Sequence, residues 1–158
     1  MVLTEIEGAS SPRAPVAATA DLRLHHGALS VADMERSVRF YESILGFRVD
    51  TRLVVEDGAL QIVHLKRGDS YLELFCHRDA APLPEHATEP ARDFAVIGTK
   101  HLAFGTSDPD RMHAALEAAG VRGLTPIFDG PHYKYFFFAD PDGIILEVVS
   151  RKSAAPGR

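Results

Sequence analysis

HGALSVADMER, residues 26–36, and HLAFGTSDPDR, residues 101–111, are one pattern written twice. At an offset of 75 they match His26 with His101, Ala28 with Ala103, Asp33 with Asp108 and Arg36 with Arg111, and Glu35 falls on Asp110. Further along, YLELF at 71–75 lies over IILEV at 144–148 at an offset of 74, which sets Glu73 on Glu147. Each half therefore opens on a histidine and closes on a glutamate, 47 residues apart in the first half and 46 in the second. A period of this kind marks a duplicated unit.

Within each unit the hydrophobic spacing is legible. Met34, Val38, Tyr41 and Leu45 recur at helical intervals, with Asp33 placed as N-cap and Gly46 just past the end. The second unit repeats the signals, with Asp108 as cap, Pro109 at the first helical position, Met112, Ala115, Leu116 and Ala119 inward, and Gly120 at the stop. Strand-like runs at about 24–30, 47–56, 59–66 and 70–76 surround the first helix, and Asp57-Gly58 is a hairpin turn. Runs at about 100–106, 121–127, 133–139 and 143–150 surround the second, with DPDG at 140–143 as the last turn. The expected class is α+β, built from two tandem βαβββ modules at 22–76 and 99–150. A proline-rich linker at 77–98 joins them, and residues 1–21 and 151–158, rich in Ala, Ser and Pro, are expected to be flexible tails.

Composition bounds the function. A chain of 158 residues, 46% hydrophobic, suffices for one core or for two small modules sharing one. No run approaches a membrane span and no signal-peptide layout opens the sequence, so a cytoplasmic protein is expected. With net charge -5 and 17 scattered Lys and Arg, no basic patch invites nucleic acid, and a small-molecule substrate is expected. Cys76 is the only cysteine, so neither an intrachain disulfide nor a cysteine-based zinc site is available.

Alternation along a strand puts Glu73 on one face with Tyr71 and Phe75, and Glu147 with Ile145 and Val149. A carboxylate among apolar neighbours is costly unless it is paired or bound to a cation. His26, Glu73, His101 and Glu147 make an N2O2 set once the halves pack about a pseudo-two-fold axis. Imidazole with carboxylate suits one divalent ion of Zn, Ni, Co, Mn or Fe. His25 is expected to face away from His26. His64, on a strand of the first module, and His132, Tyr133 and Tyr135, flanking the last hairpin, are candidates for the substrate pocket. His77, His86 and His113 are expected in solvent, and Arg36 and Arg111 as helix-surface charges.

The opening HHGALSVADMERSVRFYESILGF, the strand YLELF, the restart KHLAFGTSD and the ending FFFADPDGIILEVV resemble the vicinal oxygen chelate superfamily, which includes glyoxalase I, methylmalonyl-CoA epimerase, extradiol dioxygenases, and fosfomycin- and bleomycin-resistance proteins. The resemblance covers about residues 22–150. It implies a cupped mixed sheet around a divalent metal held at His26, Glu73, His101 and Glu147, in one chain or across a dimer. It also implies proton transfer next to a metal-chelated carbonyl, as in a glyoxalase-type lyase or isomerase, with Glu147 or Glu73 as base. Two other activities lie within the same resemblance: an Fe(II) or Mn(II) ring-cleaving dioxygenase using two His and one Glu, and a non-catalytic antibiotic-binding protein. Open sheet edges and apolar helix faces on so short a chain lead to a homodimer as the expected assembly.

Overall fold

The computed structural model describes residues 22–152. The expected N-terminal tail, and all but the first two residues of the expected C-terminal one, lie outside them. The first module runs β1 (His26–Ser30), α1 (Met34–Ser43), β2 (Arg48–Val55), β3 (Leu60–Arg67) and β4 (Ser70–His77). After a short helix α2 (Pro90–Asp93), the second runs β5 (Leu102–Gly105), α3 (Pro109–Ala118), β6 (Phe128–Asp129), β7 (Tyr133–Ala139) and β8 (Ile145–Arg151). Each module is a four-stranded mixed sheet, ordered β1-β4-β3-β2 and β5-β8-β7-β6, in which only the β1/β4 and β5/β8 pairs are parallel. Among the described residues no helix is long and apolar enough to cross a membrane.

Both helices start where the sequence signals them. The Asp33 carboxylate accepts from the Arg36 amide and that of Asp108 from the Arg111 amide, which satisfies one orphan donor at each N-terminus. Asp57 and Gly58 both have positive φ, 51° and 88°, the handedness a tight hairpin requires. The strand expected at 121–127 does not form. Gly123 takes φ +68 with its Cα against Ala139, where a Cβ would meet the Ala139 Cβ at 3.0 Å, and Pro126 has no N–H to give a ladder. Only Phe128 and Asp129 pair with β7, while Thr125 reaches it through its amide and hydroxyl. The expected linker contains α2 and a single 3-10 turn at Glu85–Thr88, and the Asp93 carboxylate, buried at its end, meets Lys100 Nζ at 3.2 Å.

One apolar core serves both modules. Met34, Val38, Tyr41 and Leu45 from α1 and its C-terminal end join Val63, Leu65, Leu72 and Leu74 of the first sheet, and Phe136, Phe138, Leu146 and Val148 of the second, with Leu116 from α3. At the waist, Gly27 in β1 lies against Leu102 in β5. A Cβ there would stand 2.8 Å from Leu102 Cδ2, so glycine permits the close approach. The modules are also joined by polar contacts. The Tyr41 hydroxyl donates to Asp140 Oδ2 at 3.0 Å, while Asp140 Oδ1 accepts the amides of Asp142 and Ile144, each at 2.9 Å. Arg36 pairs with Asp142 across the same junction, so it is a link between modules and not a free helix-surface charge. His113, expected in solvent, is half-buried: its Nε2 donates to the Thr125 carbonyl at 2.9 Å and its ring stands edge-on to Phe136.

Candidate metal centre

Strand alternation gives the placement of the duplicated pairs. Leu72, Leu74, Leu146 and Val148 turn into the shared core, so Glu73 in β4 and Glu147 in β8 point to the opposite faces of their sheets. Gly27 and Leu102 likewise meet on the core side, which turns the neighbouring His26 and His101 outward. His26 Nε2 lies 3.4 Å from Glu73 Oε2, and His101 Nε2 lies 3.0 Å from Glu147 Oε2. The chain thus presents the same imidazole and carboxylate couple twice, once on each outer sheet face. The two couples are not gathered within the chain: among the described residues no group of three or more His, Cys, Asp or Glu side chains is set to hold an ion.

The donor chemistry of each couple fits half of a metal site. Nitrogen and oxygen ligands about 2.0–2.2 Å from one ion stand about 3–3.5 Å from each other. That is the spacing seen in both couples. Both glutamates are largely covered, with 17% and 15% of the side chain exposed, which keeps bulk water from competing fully for the oxygens.

The surroundings of the couples differ. Across from Glu73 on β3 stands His64, whose Nε2 donates to Glu73 Oε1 at 2.7 Å. Across from Glu147 on β7 stands Phe137, whose ring lies edge-on to His101 at 5.4 Å. Phe137 opens an aromatic recess of about 410 Å³ on the Glu147 face, walled by Tyr135 and Phe128 and closed by Phe94 and Pro90 from the linker. The Glu73 face continues instead through Ile62 toward Leu53 and Val55, both of which are exposed.

Of the pocket candidates in the sequence, Tyr135 lines the recess and His64 touches Glu73. Tyr133 is exposed at the end of β7, and neither it nor His132 walls the recess. His25 stacks on Tyr71 at 5.0 Å, and its Nδ1 comes 2.9 Å from His26 Nδ1, so it contacts the site's edge. Sequence reasoning missed Phe137 and Phe128. The alternation of Tyr135 and Phe137 in YKYFFF put both on the Glu147 face, but the register against β8 was needed to see it.

Residues 23–148 match the family model of the Glyoxalase/Bleomycin resistance protein/Dioxygenase superfamily. The chain belongs to that superfamily. Its relatives there include the uncharacterized protein YaeR of Escherichia coli, 35% identical over 82% of this chain and 96% of its own length. A 2-epi-5-epi-valiolone epimerase from Actinomyces sp is 30% identical over 84% of this chain and 81% of its own, and a lactoylglutathione lyase from Pseudomonas aeruginosa is 26% identical over 85% and 86%. Among solved structures, a glyoxylase/bleomycin resistance protein/dioxygenase domain from Frankia sp. EAN1pec superposes with a TM-score of 0.69 at 25% identity, over 85% of this chain and 95% of that one. The α+β superfamily fold expected from the repeat is the one observed.

Proposed function

We propose that the protein is a divalent-metal-dependent lyase or isomerase that moves a proton next to a carbonyl of a small substrate. The observation that carries this reading is the duplicated couple, His26 with Glu73 and His101 with Glu147, each at the spacing of two ligands sharing an ion. Superfamily membership with an epimerase and a lactoylglutathione lyase among the relatives supports the reaction class. An ion held there would supply Lewis acidity, stabilising charge on the substrate oxygens as the adjacent carbon loses its proton.

The chain's own residues divide the remaining work. Glu147 is the proposed base. No hydrogen bond reaches it from β7, where Phe137 stands, so its carboxylate is the freer of the two to take a proton. Phe137, Phe128 and Tyr135 supply an apolar wall beside it, which suits an apolar substituent on the substrate and limits water at the reacting carbon.

Because the couples sit on separate outer faces, the proposed complete site joins the Glu73 face of one protomer to the Glu147 face of a second in a closed homodimer. The exposed Leu53 and Val55 beside Glu73 and the exposed Phe128 beside Glu147 would be covered in that assembly. Mixed dimers test it. Neither the His26→Ala/Glu73→Ala chain nor the His101→Ala/Glu147→Ala chain should bind Mn(II) or Co(II) tightly alone. Equal mixing with subunit exchange should restore about a quarter of the wild-type sites, since half of the dimers are mixed and each has one intact site. No restoration, with subunit exchange verified by mass, places each site within one chain. Full metal retention in either double variant removes the metal reading.

A further inference from the structure

We propose that His64 is the positioning residue that fixes Glu73 as a one-oxygen ligand, so that the two halves of the duplicated site have different duties. This inference rests on the metal-centre reading above and assigns a residue that the repeat itself does not contain.

The geometry separates the two oxygens of Glu73. His64 and Glu73 are direct partners in the antiparallel β3/β4 ladder, and Nε2 of His64 donates to Oε1 at 2.7 Å. The other oxygen, Oε2, is the one nearest His26. One oxygen is therefore occupied by a hydrogen bond and the other faces the candidate ion position. A charge-assisted bond of this length holds the plane of the carboxylate, because turning about its last torsion breaks it. His64 is itself placed by the sheet, being paired with Thr51 of β2 on its other side.

The second module carries no such partner. Phe137 holds the cross-strand place opposite Glu147, is 8% exposed, and has no polar atom to offer. His26 and His101 match, and Glu73 and Glu147 match, but the residues facing the two carboxylates are a donor in one sheet and an aromatic ring in the other. Groups that orient a ligand from behind typically change metal affinity by about 10–100-fold when removed. The duplication thus yields one carboxylate locked in place and one left able to move.

Titration of the full-length protein with Co(II), followed by calorimetry and by the visible absorption of the bound ion, tests the assignment. His64→Phe, which copies the second module, should weaken Co(II) binding by about 10–100-fold while keeping the wild-type band positions, since the set of ligating atoms is unchanged. His64→Gln retains an N–H donor of similar reach and should recover most of the loss. Its recovery also separates positioning from damage to the fold, which circular dichroism of both variants checks. Equal affinity in wild type and His64→Phe overturns the inference and leaves the metal centre standing. Shifted bands with loss of binding in both variants also overturn it, because His64 would then be a ligand itself. Wild type that binds no Co(II) defeats the metal-centre reading and this inference with it.

Discussion

Glu147→Gln is expected to lower turnover by at least ~10²-fold, the scale on which a general base contributes, without unfolding the protein. The amide keeps the size of the side chain and one acceptor oxygen beside His101, so packing against Phe137 is preserved and only the proton acceptor is lost. Glu73→Gln is expected to act mainly on metal affinity. Its carboxylate already accepts from His64 and is not the one left unheld. The measurement is exchange of solvent deuterium into the carbon next to the substrate carbonyl, compared among wild type and both variants at saturating Mn(II) or Co(II). Turnover in Glu147→Gln within about three-fold of wild type moves the base elsewhere. Oxygen incorporated from O₂ with no carbon-bound exchange replaces proton transfer by ring-cleaving dioxygenation, and wild type that binds ligand without metal or turnover favours a sequestering protein.

Asp140→Ala is expected to destabilise the fold by about 3 kcal/mol, since it orphans one buried and two half-buried donors at once. Those donors are the Tyr41 hydroxyl from the first module and the Asp142 and Ile144 amides of the β7/β8 turn. Asp140 is 1% exposed and Tyr41 fully buried, so water cannot replace the lost acceptor. For a domain of this size that corresponds to a fall of roughly 6–12 °C in Tm, readable by calorimetry or urea unfolding. A loss under about 1 kcal/mol would show that the Asp140 contacts add little to the junction between modules.

Asp140→Asn adds a pH signature. Burial pushes the Asp140 carboxyl above its ordinary range, against the pull of the Ile144 amide, the Tyr41 hydroxyl and the Asp142 amide, and the nearby Asp142 charge raises it further. Burial likewise pushes the Tyr41 hydroxyl up, with the Asp140 charge adding to it, so the phenol stays a donor. A carboxyl whose folded pKa is raised stabilises the fold most when protonated, below the unfolded value of about 4, and that contribution is lost as pH rises through the folded pKa. Wild type should therefore lose stability relative to Asp140→Asn as pH rises from about 4 through the raised folded pKa. A wild type that gains stability relative to Asp140→Asn as pH rises contradicts the assignment.

The sequence alone carried the duplication, the two helices with their aspartate caps, seven of the eight strands, and the recurrence of one histidine and one glutamate in each half, because these depend on local periodicity, which the repeat writes twice. It erred at 121–127, where apolar residues suggested a strand but Gly123 and Pro126 denied it a ladder. Tertiary structure decided what no period encodes. The parity that buries Leu72 and Leu146 in one shared core also turns the two couples onto separate faces, so that the four side chains are not gathered among the described residues. It decided, through strand register, that His64 and not another histidine faces Glu73 while Phe137 faces Glu147. The physical reason is that helix caps and alternation are set by neighbours a few residues away, whereas the partner across a ladder and the face a module turns to its twin are set by which apolar surfaces meet.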